Sequence, residues 1–514
     1  MRFLVQELNA PEPAPASLPA AVLKRDSWDD YHFKTSFTLT YIGHDGRRHK
    51  LGGIKILQFE QRRGPTPLPG DEFRSLPGGY CALGQSLSFY EMAADLGPDV
   101  YRPLLSGLRD VVFDPSIAEA FAEHEGFLNS LERSGSAARA ILDASALFDS
   151  GRADGTDYPA SLAFTFHSAV GGSGFDLDLR FESVPDLPGR ANIVIGYNGT
   201  GKTRLLANLA MVANADLRRR GRRQFQAKYG RLSDKAIRFG AVIAVSYSAF
   251  DTFDVPGTTP DEREQLEESG DVFGYVYCGL RSLAEPSDGG GGPNRLKSVE
   301  EVTGELSRSL ERIHQYKQRR SLLIKALAQL AREPSFRRAG FDGEELYRHD
   351  SLPEAFLGLS TGHKIVLNIV VQLAAYLERK SLLLFDEPEI HLHPPLLAAL
   401  LRAVNVLLEA RDSYAVIATH SPVALQEVPG RYVHVLERYG QHTSVRRAEV
   451  ETFGENVGYL TSTVFNLDSR STDYHAVLKK LAERMDVEAI EELFEGGMSA
   501  QARAYVESVR RARA

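Results

Sequence analysis

The chain is 514 residues long, with 43% hydrophobic and 25% charged side chains, which excludes wholesale disorder and leaves ample material for a large core. Its 68 acidic and 60 basic residues leave a net charge of −8, so any nucleic-acid contact must be a local patch. Cys81 and Cys278, far apart in the chain, exclude a disulfide framework or a Cys-rich zinc site and suit a reducing cytosol.

Residues 1–30, with the Ala- and Pro-rich segment Ala10–Ala21, read as a flexible lead-in. Met1–Gln6 lacks the long apolar region of a signal peptide. Phe33–Ile42 and Lys50–Phe59 flank the turn signal His44-Asp45-Gly46 and predict a β-hairpin. From Leu83 to Ser150 the apolar spacing turns helical, so 61–159 reads as a mainly helical insertion. Leu162–His167 and Phe175–Phe181 alternate as strands and lead into Asn192–Ile195; Asp176 and Asp178 fit the polar face of a strand better than a metal pair.

After Thr203 come an amphipathic helix, the basic run Arg218–Arg231 and the strand Ala241–Ser246. Residues 31–60 and 160–255 are thereby assigned to the first half of a core. Residues 256–350 read as a lid or arm, with the acidic stretch Asp261–Asp271, the glycine loop Ser287–Pro293 and the charged helical segment Leu296–Arg332. From Ser351 the order is helix Ile365–Leu377, strand Leu382–Phe385, helix Pro395–Ala410 and strand Tyr414–Thr419, which predicts a parallel sheet with crossover helices over 351–430. Residues 431–514 read as a C-terminal extension. The longest apolar stretches, Ile365–Tyr376 and Leu396–Leu408, are too short or too interrupted to span a bilayer, and the expectation is a cytoplasmic protein without membrane contact.

Gly196-Tyr197-Asn198-Gly199-Thr200-Gly201-Lys202-Thr203 fits G-x-x-x-x-G-K-[ST] between a strand and a helix. Glycines let successive N–H groups curl around phosphate, and the helix N-terminus adds partial positive charge. Lys202 is placed to reach the β/γ-phosphates of ATP, and the Thr203 hydroxyl to bind Mg²⁺. Leu382–Phe385 ends in Asp386-Glu387-Pro388: Asp386 is expected to hold Mg²⁺ and Glu387 to polarise the attacking water.

Leu359-Ser360-Thr361-Gly362-His363 precedes a helix, and Thr419-His420-Ser421-Pro422 follows the next strand after Glu387. With these segments the chain resembles ATP-binding-cassette (ABC) ATPases, with Walker A at Gly196–Thr203, signature at Leu359–His363, Walker B at Leu382–Glu387 and switch histidine at His420. The resemblance implies an α/β P-loop NTPase fold of ABC type, with an antiparallel β subdomain, helical insertions and a short arm. It also implies a catalytic pair, Glu387 and His420, and a signature whose Ser360 and Gly362 face the γ-phosphate held by a second copy. Ser360 or Thr361 as a simple helix cap is compatible with that role. Two departures stand out: Thr361 and His363 replace the usual Gly and Gln, and no Q-loop glutamine follows Ala241–Ser246.

His391-Leu392-His393 beside Glu389 offers too few ligands for a convincing metal site, and the resemblance gives this segment a D-loop role. The segments Ser246–Asp251, Tyr275–Arg281, Asp386–Pro394 and Thr419–Pro429 are similar to the ATPase partner of the Septu antiphage system and of retron-linked ATPase–nuclease pairs. That resemblance implies a homodimer held through ATP and a separate nuclease, since no Asp-x-Asp follows Gly430. A nucleotide-gated scaffold with little turnover and a DNA-repair ATPase are the alternatives. Leu217–Arg231 carries seven positive charges in fifteen residues, with Phe225 and Tyr229 interleaved; DNA phosphate or a solvated helix end both fit it.

Overall fold

A computed structural model of the chain describes residues 1–148, 161–184, 187–255, 272, 274–282, 295–339, 356–464 and 473–511. The expected acidic stretch Asp261–Asp271 and glycine loop Ser287–Pro293 lie outside them.

A seven-stranded sheet organises the molecule. Its strands run, edge to edge, Tyr275–Gly279, Val242–Ser246, Leu382–Asp386, Tyr414–Ala418, Ala191–Ile195, Val433–Tyr439 and His442–Arg447. All neighbours are parallel except the last pair. Every residue of the first five strands is buried, which explains their continuous apolar runs: a sheet covered on both faces needs no polar side.

Alternate side chains feed two cores. Ile193, Ile195, Ile243, Val245, Leu383, Phe385 and Ile417 meet helices Thr361–Tyr376 and Pro394–Ala410, together with the arm helices Val299–Gln315 and Lys317–Leu330. Val194, Val242, Ala244, Leu384 and Val416 face helix Lys202–Asn214 and the hairpin Leu162–Ser168/Phe175–Phe181. The expected polar face of that hairpin is present: His167 Nδ1 meets Asp176 and Thr165 Oγ1 donates to Asp178, each at 2.6 Å.

The first 148 residues depart from the sequence expectation. Arg2–Gln6 and Ala20–Arg25 are not a flexible lead-in but paired parallel strands, with Phe3 and Leu23 fully buried. They join Glu72–Phe73, Ser36–Ile42, Arg48–Gln58 and Tyr80–Gly84 in a separate six-stranded sheet. The predicted hairpin is therefore real but belongs to this sheet, not to the phosphate-loop core. Helices Leu87–Asp95, Pro98–Leu108 and Gly135–Asp143 close its own hydrophobic core. A second correction concerns 431–514. Val433–Tyr439 pairs with the phosphate-loop strand, so the core sheet extends to Arg447 before the C-terminal helices.

The two sheets are joined by a buried ionic junction. Arg319, wholly buried in the second arm helix, donates through Nη2 to Glu378 Oε1 at 2.6 Å and to Ser88 Oγ at 2.8 Å. Ser88 lies in the first helix after the N-terminal sheet, and Glu378 four residues before the strand Leu382–Asp386. Arg411 and Glu91 add a second link at 3.2 Å.

Candidate nucleotide site

Three parallel strands bring their carboxyl ends to one sheet edge. Ile195 runs into Gly196, Asp386 stands opposite Ala418, and Ala418 opposite Val194. The phosphate loop, the paired carboxylates and Thr419-His420 therefore share one crevice, the place where open α/β sheets hold ligands.

Gly199 and Gly201 have φ of +83° and +98°, values that glycine alone adopts without strain. Gly196 is constrained by space, since a Cβ there would lie 2.4 Å from Leu436 O. Tyr197 and Asn198 form the exposed crest, and Thr200 turns inward, its hydroxyl donating to Tyr197 O at 2.9 Å. Helix Lys202–Asn214 begins with Gly201 and has no side-chain cap, which leaves its first amides for an anion.

Lys202 is buried and curls over its own loop, donating to Gly196 O at 3.0 Å and meeting His420 Nε2 at 2.6 Å. An ammonium can only donate, so His420 Nε2 accepts and carries no proton. Burial, then the Lys202 charge, pushes His420 down to about 4. Glu389 fixes the histidine from behind, its carboxylate accepting from the His420 backbone N–H at 2.6 Å and from Thr419 Oγ1 at 2.8 Å.

Asp386 is buried at the strand end, and burial followed by the charges of Glu387 and Asp251 pushes it up to about 7 against the Thr203 hydrogen bond. Its Oδ1 has no hydrogen-bond partner among the described residues. A buried carboxylate with an orphaned oxygen, beside a threonine hydroxyl, is a hard-oxygen pair that fits Mg²⁺. Glu387 follows with φ of +47° and its amide tied to Ala418 O at 2.8 Å. That left-handed turn is unusual for a residue with a side chain and sets the carboxylate 3.8 Å from His420 Nε2.

Lys202, Thr203, Asp386, Glu387 and His420 thus come together. Ser360 and Gly362 stand apart from them. Ser360 is exposed and caps helix Thr361–Tyr376, and a Cβ on Gly362 would lie 3.0 Å from His391 O and 3.2 Å from Leu396. The signature therefore packs on the turn after the carboxylates, with its helix N-terminus facing outward. His391 and His393 are exposed, and no metal-binding group of His, Cys, Asp or Glu occurs among the described residues.

Sequence reasoning missed Asp251. Ser246 pairs in register with Asp386, so the segment searched for a Q-loop glutamine does run beside the carboxylates. Its buried acid is Asp251, held by Tyr277 Oη at 2.8 Å and by Arg281. The conspicuous segment Tyr275–Arg281 was the available signal. The basic run also divides. Arg220 is buried and donates to Ala213 O at 2.7 Å and Ile237 O at 2.6 Å, and Phe225 is buried against Tyr229. Arg222, Arg223, Lys228 and Arg231 are exposed.

Residues 290–426 match the family described as "AAA domain, putative AbiEii toxin, Type IV TA system". Among solved structures, a nucleotide-free ATP-binding cassette of an ABC transporter is 13% identical, with 61% of this chain and 98% of that one covered at a TM-score of 0.30. The SMC head domain from Thermotoga maritima is 11% identical, covering 56% and 99% at a TM-score of 0.28. Residues 290–426 thus resemble an AAA domain within a mixed α/β fold, and no described helix is long and apolar enough to cross a membrane. Protein ea59 of Escherichia phage lambda is 31% identical over 519 residues, spanning 95% of this chain and 94% of its own length. On that full-length identity, the chain belongs to the family of phage lambda protein ea59.

Proposed function

We propose that this protein is a Mg²⁺-dependent ATPase whose nucleotide site is completed by the signature segment of a second copy. The carrying observation is the split of the motif residues. Five converge at one sheet edge, while Ser360 and Gly362 sit outward on another helix, available to a neighbour. Lys202 and the loop amides would bind the β- and γ-phosphates, and Thr203 with Asp386 would hold Mg²⁺, which neutralises phosphate charge when bound. Glu387 orients the attacking water and takes its proton as the β–γ phosphoanhydride bond breaks to give ADP and phosphate. His420, held neutral, offers an acceptor before the γ-phosphate enters and a positioned imidazole afterwards.

The cellular role we favour is the ATPase component of an antiphage system that works beside a separate nuclease, on DNA. The exposed cations of 218–231 support a phosphate-backbone contact, and the toxin named in the matched family's description supports an effector-coupled system. The test is steady-state ATP turnover of the wild type beside Glu387→Gln, with the mass of each measured in ATP–Mg²⁺. Turnover lost in the variant, with an ATP-held dimer, is the expected result. Equal turnover in both, or a variant that stays monomeric with bound ATP, overturns the reading.

A further inference from the structure

His363, which departs from the usual signature pattern, lies in a short chain of polar contacts. Its Nδ1 is 2.6 Å from Ser360 Oγ, and its Nε2 is 2.9 Å from Ser335 Oγ. Ser335 Oγ in turn donates to Glu333 Oε2. Glu333 is buried; despite that burial, the bonds from Ser335 Oγ and the Phe336 and Ser335 amides hold its carboxyl below the usual range. It is therefore an acceptor only.

The proton count along this chain has one solution. The single hydroxyl proton of Ser335 goes to Glu333, so the contact with Nε2 requires Nε2–H to donate. A neutral imidazole then has no proton on Nδ1, and the Ser360 hydroxyl must donate to it. In that state the only proton of the signature serine points at His363, and Ser360 cannot donate to a phosphate oxygen. An imidazolium reverses this. With protons on both nitrogens, Nδ1–H donates to Ser360 Oγ and the serine proton is released outward.

We propose that His363 is a positioning residue for the signature serine, and that engaging the γ-phosphate of a second copy takes up one proton at its imidazole. The inference rests on the two-copy site proposed above. The surroundings fit it. Among the described residues, the charged or titratable groups facing the ring are Glu333, which favours the imidazolium, and His393, at the start of helix Pro394–Ala410, which opposes it. Phe336 packs edge-on at 4.6 Å and limits water on that side. Burial holds free His363 below the ordinary histidine value, so the ring is neutral at neutral pH until an anion arrives.

The experiment is titration calorimetry of ATP–Mg²⁺ into Glu387→Gln protein at about pH 7.5, in buffers of different ionisation enthalpy, with sedimentation reporting the dimer. The same measurement is made with His363→Gln and Glu333→Gln added singly. A glutamine at 333 can donate to Ser335, whose proton can then turn to Nε2 and permit a neutral ring with Nδ1–H. The expected result is about one proton more per site taken up by the parent than by either double variant, all three dimerising. Equal proton uptake in the parent and the His363→Gln variant overturns the proposal, as does full uptake in the Glu333→Gln variant. A parent that shows no ATP-dependent dimer removes the two-copy reading itself and this inference with it.

Discussion

The Lys202 ammonium and His420 Nε2 face each other at 2.6 Å, with Glu387 only 3.8 Å from the same nitrogen. The lysine ammonium is thereby committed to His420 and to the Gly196 carbonyl of its own loop. On the proposed ATPase reading, nucleotide entry would pull Lys202 off His420 and so link phosphate binding to the freedom of the imidazole next to Glu387. Lys202→Ala is expected to abolish ATP binding. His420→Ala is expected to keep binding, since the lysine loses a competitor for phosphate, while turnover falls about a hundredfold or more. Titration with a fluorescent ATP analogue beside steady-state turnover separates the two.

The same contact sets an acid limit. His420 is held down at about 4, below its ordinary value, so the unfolded chain binds more protons between that pH and about 6.5. The stability gained by a neutral His420 is complete above that window and is lost as the pH falls through it. Thermal melts of nucleotide-free protein should show a shallower acid-side decline in His420→Ala than in the wild type. Equal slopes would show that the imidazole is not held neutral by this packing.

Asp386 presents a cost that a cation would relieve. Its carboxyl is pushed up to about 7, and one oxygen lacks a partner among the described residues. Because the folded value lies above the unfolded one, stability falls as pH rises from about 4 towards 7. Asp386→Asn should therefore raise the melting point of metal-free protein at neutral pH, by about 1–3 kcal/mol of stability, and should abolish any further rise with ATP–Mg²⁺. Chelation of the metal from wild type should remove that second rise and leave the first value unchanged.

The site was legible where chemistry fixes spacing. A phosphate loop needs glycines at Gly196 and Gly201, and a buried strand ending in Asp386-Glu387 is visible as an apolar run with two acids after it. The parallel sheet follows from the same apolar runs, because strands covered on both faces lack polar alternation. The N-terminal sheet escaped because Arg2–Gln6 and Ala20–Arg25 are short and enclose a Pro-rich connection, whose composition outweighed the strands. Val433–Tyr439 carries Glu437 and Arg438, so its place beside the phosphate-loop strand was masked by an edge-like pattern. Asp251 and the Glu333–Ser335–His363 chain depend on tertiary contacts between distant segments, and no local periodicity encodes them.

The junction between the two sheets gives a stability prediction. Arg319 is wholly buried, and its partner Glu378 is held below the usual carboxylate value, Arg319 and Arg411 outweighing its burial. Removing Arg319 takes away the closest countercharge of buried Glu378, leaving Ser88 Oγ at 2.8 Å and Arg312 at 4.0 Å, so Arg319→Ala should cost about 3 kcal/mol. Arg319→Met with Glu378→Gln removes both charges and should cost much less than Arg319→Ala alone. Chemical denaturation of the three proteins tests the ordering; equal losses would mean that the junction acts through packing and not charge.

The basic segment makes the last prediction. Arg222, Arg223, Lys228 and Arg231 are exposed, while Arg220 is spent on backbone carbonyls. If the segment grips DNA, it does so mainly through phosphates, because Phe225 is buried and half-buried Tyr229 packs on it with Lys228 over its ring. Binding should then be insensitive to sequence and fall steeply with salt, the log–log slope shrinking by about 0.9 for each phosphate contact removed from a duplex. Arg222→Glu with Arg223→Glu should weaken duplex binding at low salt and flatten that slope, with ATP affinity unchanged. Arg220→Ala should lower the melting point instead, since its loss orphans the Ala213 and Ile237 carbonyls. Fluorescence anisotropy over a salt series distinguishes these outcomes, and an unchanged slope in the double variant would remove this surface from any DNA contact.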